Sequence, residues 1–393
     1  VAPDPLLWAF PTGGERTEQF QWLTMVDGAA TGPEQLQRVR QTPRIVLGAA
    51  GKAKGQARQL LETQLQLQGI GPWIVPVESD ALQLTSPISI GATAIAGDAS
   101  RLRFKVGGKA LLLGDNPRIR ELVTVDSFNS GGVTLAVGTE LAWPAGARIV
   151  PAYRATLDNV PQLQRFTGDE SFYSVGMRLA ESLTVAPADD VPTYRGFPVY
   201  ELGSDWARDP ELTHARDIVS KDASAAMPFL ADLVGHPATL LARTATAYGS
   251  AAAFDLIRFM YLLAGRAQPL WVPSLGHDLT APNGITSGAS TINVGWAGLV
   301  DAGLRTSRRD IRVELTDGTI LYRRVTAVTF VDSARERLFV DAPWPASVAA
   351  EGIAQVSFMT FARQNADVNR LNWWNGDTLE TEFLFVGIVD DAV

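Results

Sequence analysis

One ordered series of signals occurs twice along this chain of 393 residues, and any fold must accommodate both copies. In the first, Thr42-Pro43-Arg44-Ile45-Val46-Leu47 precedes Arg58 to Leu65, then Gly69-Ile70-Gly71-Pro72-Trp73-Ile74-Val75-Pro76 and Asp80 to Thr85. In the second, His236-Pro237-Ala238-Thr239-Leu240-Leu241 precedes Phe254 to Tyr261, then Gly265, Pro269-Leu270-Trp271-Val272-Pro273 and Asp278-Leu279-Thr280. Trp271 follows Trp73 by 198 positions. Downstream, Glu121 to Val125, Val133 to Leu135 and Trp143-Pro144-Ala145 face Arg324 to Val328, Arg337 to Phe339 and Trp344-Pro345-Ala346. Each copy closes on a Gly-Asp turn (Gly168-Asp169, Gly376-Asp377) and a strand-like run, Phe172 to Leu179 and Thr381 to Ile388. The offset is 208 there, so about ten residues are inserted in the second copy.

Within each copy one segment has helical character and the rest reads as β. Lys54 to Gln68 carries Leu60, Leu61, Leu65 and Leu67 among Gln, Arg and Glu, strong helix formers ended by Gly69. Its partner, Ser250 to Ala264, is apolar nearly all round, which demands fuller cover from sheet or from a neighbouring subunit. Elsewhere apolar residues alternate, as at Leu102, Phe104 and Val106 or Val133, Leu135 and Val137, between turns such as Gly107-Gly108 and Asn129-Ser130-Gly131-Gly132. Asp317-Gly318 gives the clearest hairpin signal. The expected class is therefore mainly β with one helix per repeat (α+β). The first repeat takes residues 1–190, as a larger β domain over 1–83 and 155–190 with a small β-barrel module inserted over 84–154. The second takes 191–393, with its larger domain over 191–278 and 362–393 and its inserted module over 279–361. A linker from Leu183 to Pro192, carrying Pro187, Asp189 and Asp190, separates them.

Composition narrows the chemistry. There is no Cys, which removes disulfides, zinc ribbons and thiolate nucleophiles. The balance of 34 basic against 42 acidic residues, net −8 without a basic block, argues against a tight nucleic-acid partner. Val1 to Phe10 lacks the features of a secretory signal, and the most apolar run, Ala251 to Gly265, holds Asp255 and Arg258 and is too short to span a bilayer. The expectation is a soluble chain without stable membrane insertion. His214, His236 and His277 are widely spaced and form no metal-binding pattern. His277-Asp278 is the one His beside a carboxylate, but the first copy has Ser79-Asp80 at that place. Gly48-Ala49-Ala50-Gly51-Lys52 lacks the spacing and the hydroxyl of a phosphate loop, and reads as a hairpin or strand-to-helix loop. Asp169-Glu170, Asp189-Asp190 and Asp390-Asp391 read as solvated pairs. No catalytic, cofactor-binding or metal residue is nominated, and the chain is not expected to be an enzyme. Trp373-Trp374 before Asn375-Gly376-Asp377 offers a sugar-stacking platform or, in preference, packing and subunit contact.

The opening Trp8-Ala9-Phe10-Pro11, then Phe20-Gln21-Trp22-Leu23-Thr24, Gly32-Pro33-Glu34-Gln35 with Arg38 and Arg40, and Pro43-Arg44 form a distinctive set. They resemble the pattern W-x-F-P, W-L-T-D, G-x-E-Q-R and R-x-x-P-R of tail-tip and baseplate structural proteins of long-tailed bacteriophages, most closely over residues 8 to 85. The resemblance implies two tandem tail-tube-like β domains in a distal tail or hub protein. Such a protein forms a ring around the DNA channel and joins the tail tube to distal tip proteins. Its partners would be further copies of itself, a trimer in preference to a hexamer, together with tail tube, tip or hub and fibre proteins. DNA would be transient cargo in the lumen, and the place of action the virion tail tip, after assembly in the bacterial cytoplasm. An acidic balance would suit a lumen that must not retain DNA. On this reading Trp8, Trp22, Trp206, Trp373 and Trp374 are subunit-interface or packing aromatics. A glycan-binding tail or surface protein and a cell-envelope hydrolase are the alternatives.

Overall fold

The computed structural model describes residues 5–8, 16–28, 34–114, 119–183, 185–203, 211–216, 218–222, 224, 227, 229–232, 237–304, 308–374 and 378–388. The first half begins with β1 (Leu6–Leu7), β2 (Arg16–Gln21), β3 (Thr24–Gly28), β4 (Glu34–Arg38), β5 (Arg44–Lys54), α1 (Gln56–Gln68) and β6 (Trp73–Pro76). It continues through β7 (Leu82–Gln83), β8 (Ala94–Ala96), β9 (Lys109–Leu113), β10 (Arg120–Asn129), β11 (Gly132–Leu135), β12 (Arg148–Leu157), β13 (Gln162–Arg165) and β14 (Glu170–Leu179). The second half has β15 (Thr193–Tyr194), β16 (Phe197–Pro198), β17 (Glu211–Ala215), β18 (Ile218–Lys221), β19 (Phe229–Asp232), β20 (Ala238–Tyr248), α2 (Gly249–Leu263) and β21 (Leu270–Pro273). Then follow β22 (Thr291–Gly295), α3 (Leu299–Ala302), β23 (Asp310–Leu315), β24 (Ile320–Asp332), β25 (Arg335–Val340), β26 (Ile353–Gln364), β27 (Val368–Trp373) and β28 (Thr378–Gly387). The protein is mainly β, and among the described residues no helix is long and apolar enough to cross a membrane.

The central wall is antiparallel, in the order β17-β20-β28-β27-β2-β5-β14-β13. Its strands alternate, which sends one set of side chains to the helices and the other to solvent. In β14, Tyr173, Val175 and Met177 are buried, whereas Phe172, Ser174 and Arg178 are exposed. The inward set and the two long helices enclose the main core, which includes Phe20, Ile45, Trp73, Tyr173, Phe259, Tyr261, Leu371 and Phe383. Two further cores are built by Leu84 to Ile149 around Trp143, and by Leu279 to Phe358 around Trp344.

The strands that hold these two cores run on into the central wall. β12 pairs through Arg148–Ala152 with β9 and through Ala152–Leu157 with β6 and β14, so it runs unbroken from the satellite core into the central wall. β26 does the same between β23 and the pair β21 and β28. The segment Gly48 to Lys54 is likewise strand rather than loop, because Gly48 lies against β2, where a Cβ would meet the Thr17 hydroxyl at 2.2 Å. Gly55 alone, at φ +57°, turns the chain into α1.

The two landmark tryptophans face opposite sides. Trp73 lies opposite Ala155 and enters the main core, whereas Trp271 lies opposite Phe361 and joins a small cluster with Tyr194, Val199 and Met359. Leu270, opposite Ala362, takes the inward place. A shift of one residue inverts a strand's faces, so an offset of 198 pairs residues with opposite roles.

Candidate functional site

The wall is continuous because a strand from the start of the chain pairs with one near its end. β2 lies between β5 and β27, in a register that sets Arg16 opposite Trp373, Glu18 opposite Leu371 and Gln21 opposite Val368. Beyond it the chain plugs a socket in the second half. The Trp22 N–H donates to the Asp367 carbonyl at 2.7 Å, and its ring meets Tyr261 edge-on at 5.2 Å, with Arg38 over it at 5.3 Å. The Thr24 N–H and hydroxyl donate to the Asp367 carboxylate at 2.8 and 2.9 Å, and the Arg266 N–H adds a third bond at 2.9 Å. Burial opposes that carboxylate, yet these donors hold its pKa below the ordinary value. The β3–β4 ribbon then lies on the second half, where Arg363 donates to Glu34 at 2.9 Å.

A buried ionic cluster sits beneath this joint. Arg103, from the segment before β9, donates to Glu18 at 2.6 and 3.0 Å and to Asp80 at 2.7 and 3.1 Å, and the Ser79 hydroxyl donates to Glu18 at 2.7 Å. Burial pushes Asp80 up, with the Glu18 charge adding to it. Burial acts on Glu18 as well, but Arg103 and Ser79 outweigh it and bring its pKa below the ordinary value. Burial also disfavours the Arg103 cation, and the two carboxylates nonetheless raise its pKa well above the usual guanidinium value. The satellite core of the first half is thereby tied to the strand that makes the joint.

Among the described residues the wall ends on two edges without a further partner strand: β13 pairs only with β14, and β17 only with β20. The residues of β13 are all exposed, and Leu212 on β17 is 43% exposed. A groove of about 770 Å³ adjoins β13, lined by Leu65, Gly69, Ile70, Leu157, Val160 and Leu163 among others. Next after β17 along the chain, the β18–β19 ribbon pairs only with itself among the described residues and exposes Ile218, Phe229 and Leu230.

Of the residues singled out in the sequence, Trp8, Trp22 and Trp373 are covered by the chain's own core. They are therefore not displayed to a neighbouring molecule. Trp374 is 63% exposed, and its indole N–H donates to Glu380 at 3.0 Å. Trp206, His236 and the pair Asp390-Asp391 lie outside the described residues. His277 is exposed, whereas Asp278 accepts from the Phe358 N–H at 2.7 Å and from the Ser274 hydroxyl, partners that make it a strand anchor. Asp189 and Asp190 lie beside Arg258, and Glu170 beside Lys52. No group of three or more His, Asp or Glu suited to a metal occurs among the described residues. The sequence reading gave no role to Arg103, Leu163 or Leu212. An Arg before a strand and a Leu in a short polar strand carry no local signal, and only the pairing reveals their places. No family model matches this sequence, and no curated protein matches it.

Proposed function

We propose that this protein is a ring-forming structural component of a bacteriophage tail tip or baseplate, built from two tandem tube-like β domains, that surrounds the DNA channel and joins the tail tube to distal tip proteins. The observation that carries this reading is the head-to-tail joint between β27 and β2. The two halves correspond pairing for pairing. The series β2–β5, β5–β14, β14–β13, β14–β12, β12–β6, β12–β9, β9–β10, β10–β11 and β11–β8 recurs as β17–β20, β20–β28, β28–β27, β28–β26, β26–β21, β26–β23, β23–β24, β24–β25 and β25–β22. The joint thus links the last wall strand of one half to the first wall strand of the other. The same two kinds of strand are left open, as β13 and β17. A heterologous contact of this sort, repeated between chains, closes a ring when the rotation per copy is a whole fraction of a turn, and on this reading it is. Three chains would present six similar units, which is how a duplicated chain matches a sixfold tube.

With the helices on one face of the wall, the other face lines the channel. It carries Thr17, Gln19, Gln21, Gln162, Gln164, Ser174 and Thr246, with Arg44, Lys52, Lys54, Arg178 and Arg370 set against Glu170, Glu211, Glu380 and Glu382. The net acidity of the chain is not concentrated there. Apart from the exposed Phe172, Val368 and Leu384 this face is polar and of mixed sign, and it offers DNA no continuous basic track to hold it. Electron microscopy of the purified chain tests the reading: class averages should show a ring with a central hole, and antibodies to the chain should decorate the distal end of tailed virions. Featureless particles and undecorated tails would overturn it.

A further inference from the structure

We propose that the groove between α1 and β13 is the docking site for a second copy of this chain, which enters it with its strand β17 and its β18–β19 ribbon. The inference rests on the ring reading and specifies the contact by which the ring would grow. The intramolecular joint serves as the template. There, the matching groove between α2 and β27 is filled by Phe20, Trp22 and the β3–β4 ribbon, with Tyr261 of α2 touching both rings.

The groove beside α1 lacks such a filling. A Cβ on Gly265, just past the end of α2, would lie 2.9 Å from the Trp22 Cβ and 2.5 Å from Asp367. On Gly69, at the end of α1, it would meet nothing within 4 Å. Helix α2 buries seven of its side chains, whereas α1 buries Leu61 and Gln68 and leaves Leu60 and Leu67 exposed, with Ile70 open beyond its end.

The register follows from the pairings. Glu18 lies opposite Leu47 in β5, and Leu212 lies opposite Leu241 at the same place in β20. Leu371 lies opposite Thr381, and Leu163 lies opposite Tyr173, 208 positions earlier in both strands. The in-chain pair Glu18 and Leu371 therefore becomes Leu212 of one copy opposite Leu163 of the next. Both are open to solvent in the single chain, at 43% and 39%.

The chemistry of the two surfaces agrees. Ile218 opens its ribbon as Thr24 opens the other, and Ile218, Met227, Phe229 and Leu230 are all exposed. The groove offers Ile70, Val160 and Leu163 in return. At the turn after β12, Asp158 is engaged by Arg178, and Asn159 accepts the Gly176 N–H. The contact between copies is thus apolar where the in-chain joint is sealed by Asp367 and Glu34. An open strand edge beside exposed apolar side chains is a pairing template, and a second copy satisfies both at once.

The chain has no Cys, so single cysteines report this contact cleanly. Leu163→Cys and Leu212→Cys chains are mixed with a short bismaleimide, and the double variant is treated alone. The mixture should give a cross-linked pair and the double variant a ladder ending at the ring, while neither single variant cross-links by itself. In parallel, Leu163→Arg and Leu212→Arg should each raise the concentration at which half the chains assemble about tenfold or more. The melting temperature of the dilute chain should not change. Rings without the Leu163–Leu212 cross-link overturn this inference and leave the ring reading standing. No assembly at any concentration overturns both.

Discussion

At the residue scale, the joint depends on one buried cation shared by two carboxylates. Glu18 is held below its ordinary pKa of 4.5 and Asp80 is held above its ordinary 3.8, so folding favours ionisation of Glu18 and opposes that of Asp80. Glu18 therefore adds stability above pH 4.5, and this is lost as the pH falls through its lower folded value. Asp80 acts in the opposite sense: its contribution is whole below pH 3.8 and is lost as the pH rises through its folded value. Glu18→Gln, which leaves Arg103 half-paired, should cost about 3 kcal/mol at pH 7 in a urea titration. That deficit should shrink below pH 4.5. Asp80→Asn should stay within about 1 kcal/mol of the parent at pH 7, since it removes the carboxylate that burial disfavours. Equal losses from the two changes would contradict this division. The sequence held Asp80 and its counterpart Asp278 as landmarks, but not the partner, because Arg103 reaches Asp80 across 23 positions and Glu18 across 85.

At the element scale, two helix ends that look alike in sequence do different work. Gly69 and Gly265 both have positive φ, 53° and 70°, so Ala at either strains the backbone by about 1 kcal/mol. At Gly265 the new Cβ would also collide with Trp22 and Asp367. Gly265→Ala should therefore lower stability by about 2 kcal/mol more than Gly69→Ala, read from denaturation midpoints at a common slope. A similar effect from both would mean that the Trp22 socket yields freely. The two long helices were legible from composition and glycine stops, within about two residues at each end, as was the Asp317-Gly318 hairpin, whereas the short α3 was not. The long strands β12 and β26 were not. Alternation marks a strand locally but does not reveal that its two ends belong to different cores. The ribbons were also hidden, because Ile218 to Leu230 has no strict alternation.

At the scale of the whole molecule, the described strands form a wall that ends on β13 and β17. The recurring order of signals along the chain was read as a duplication, and the structure sets β27 beside β2. Of the aromatics offered as interface or packing residues, Trp8, Trp22 and Trp373 pack inside the chain; the open surfaces carry mostly Leu, Ile and Val, with Met227 and Phe229, in segments of unremarkable composition. An apolar joint of this kind should tolerate salt, because screening acts on exposed charges and not on buried aliphatic area. Assembly measured at 1 M NaCl should thus be at least as complete as at about 0.1 M, and dissolution by salt would contradict the apolar contact. The central claim is that copies join head to tail through β13 and β17. Light scattering of the purified chain over a wide range of concentration tests it most directly. A closed assembly, with a trimer of the 42.3 kDa chain as the leading species and no growth beyond the ring, is the predicted result. A monomer that persists at the highest concentration would contradict it.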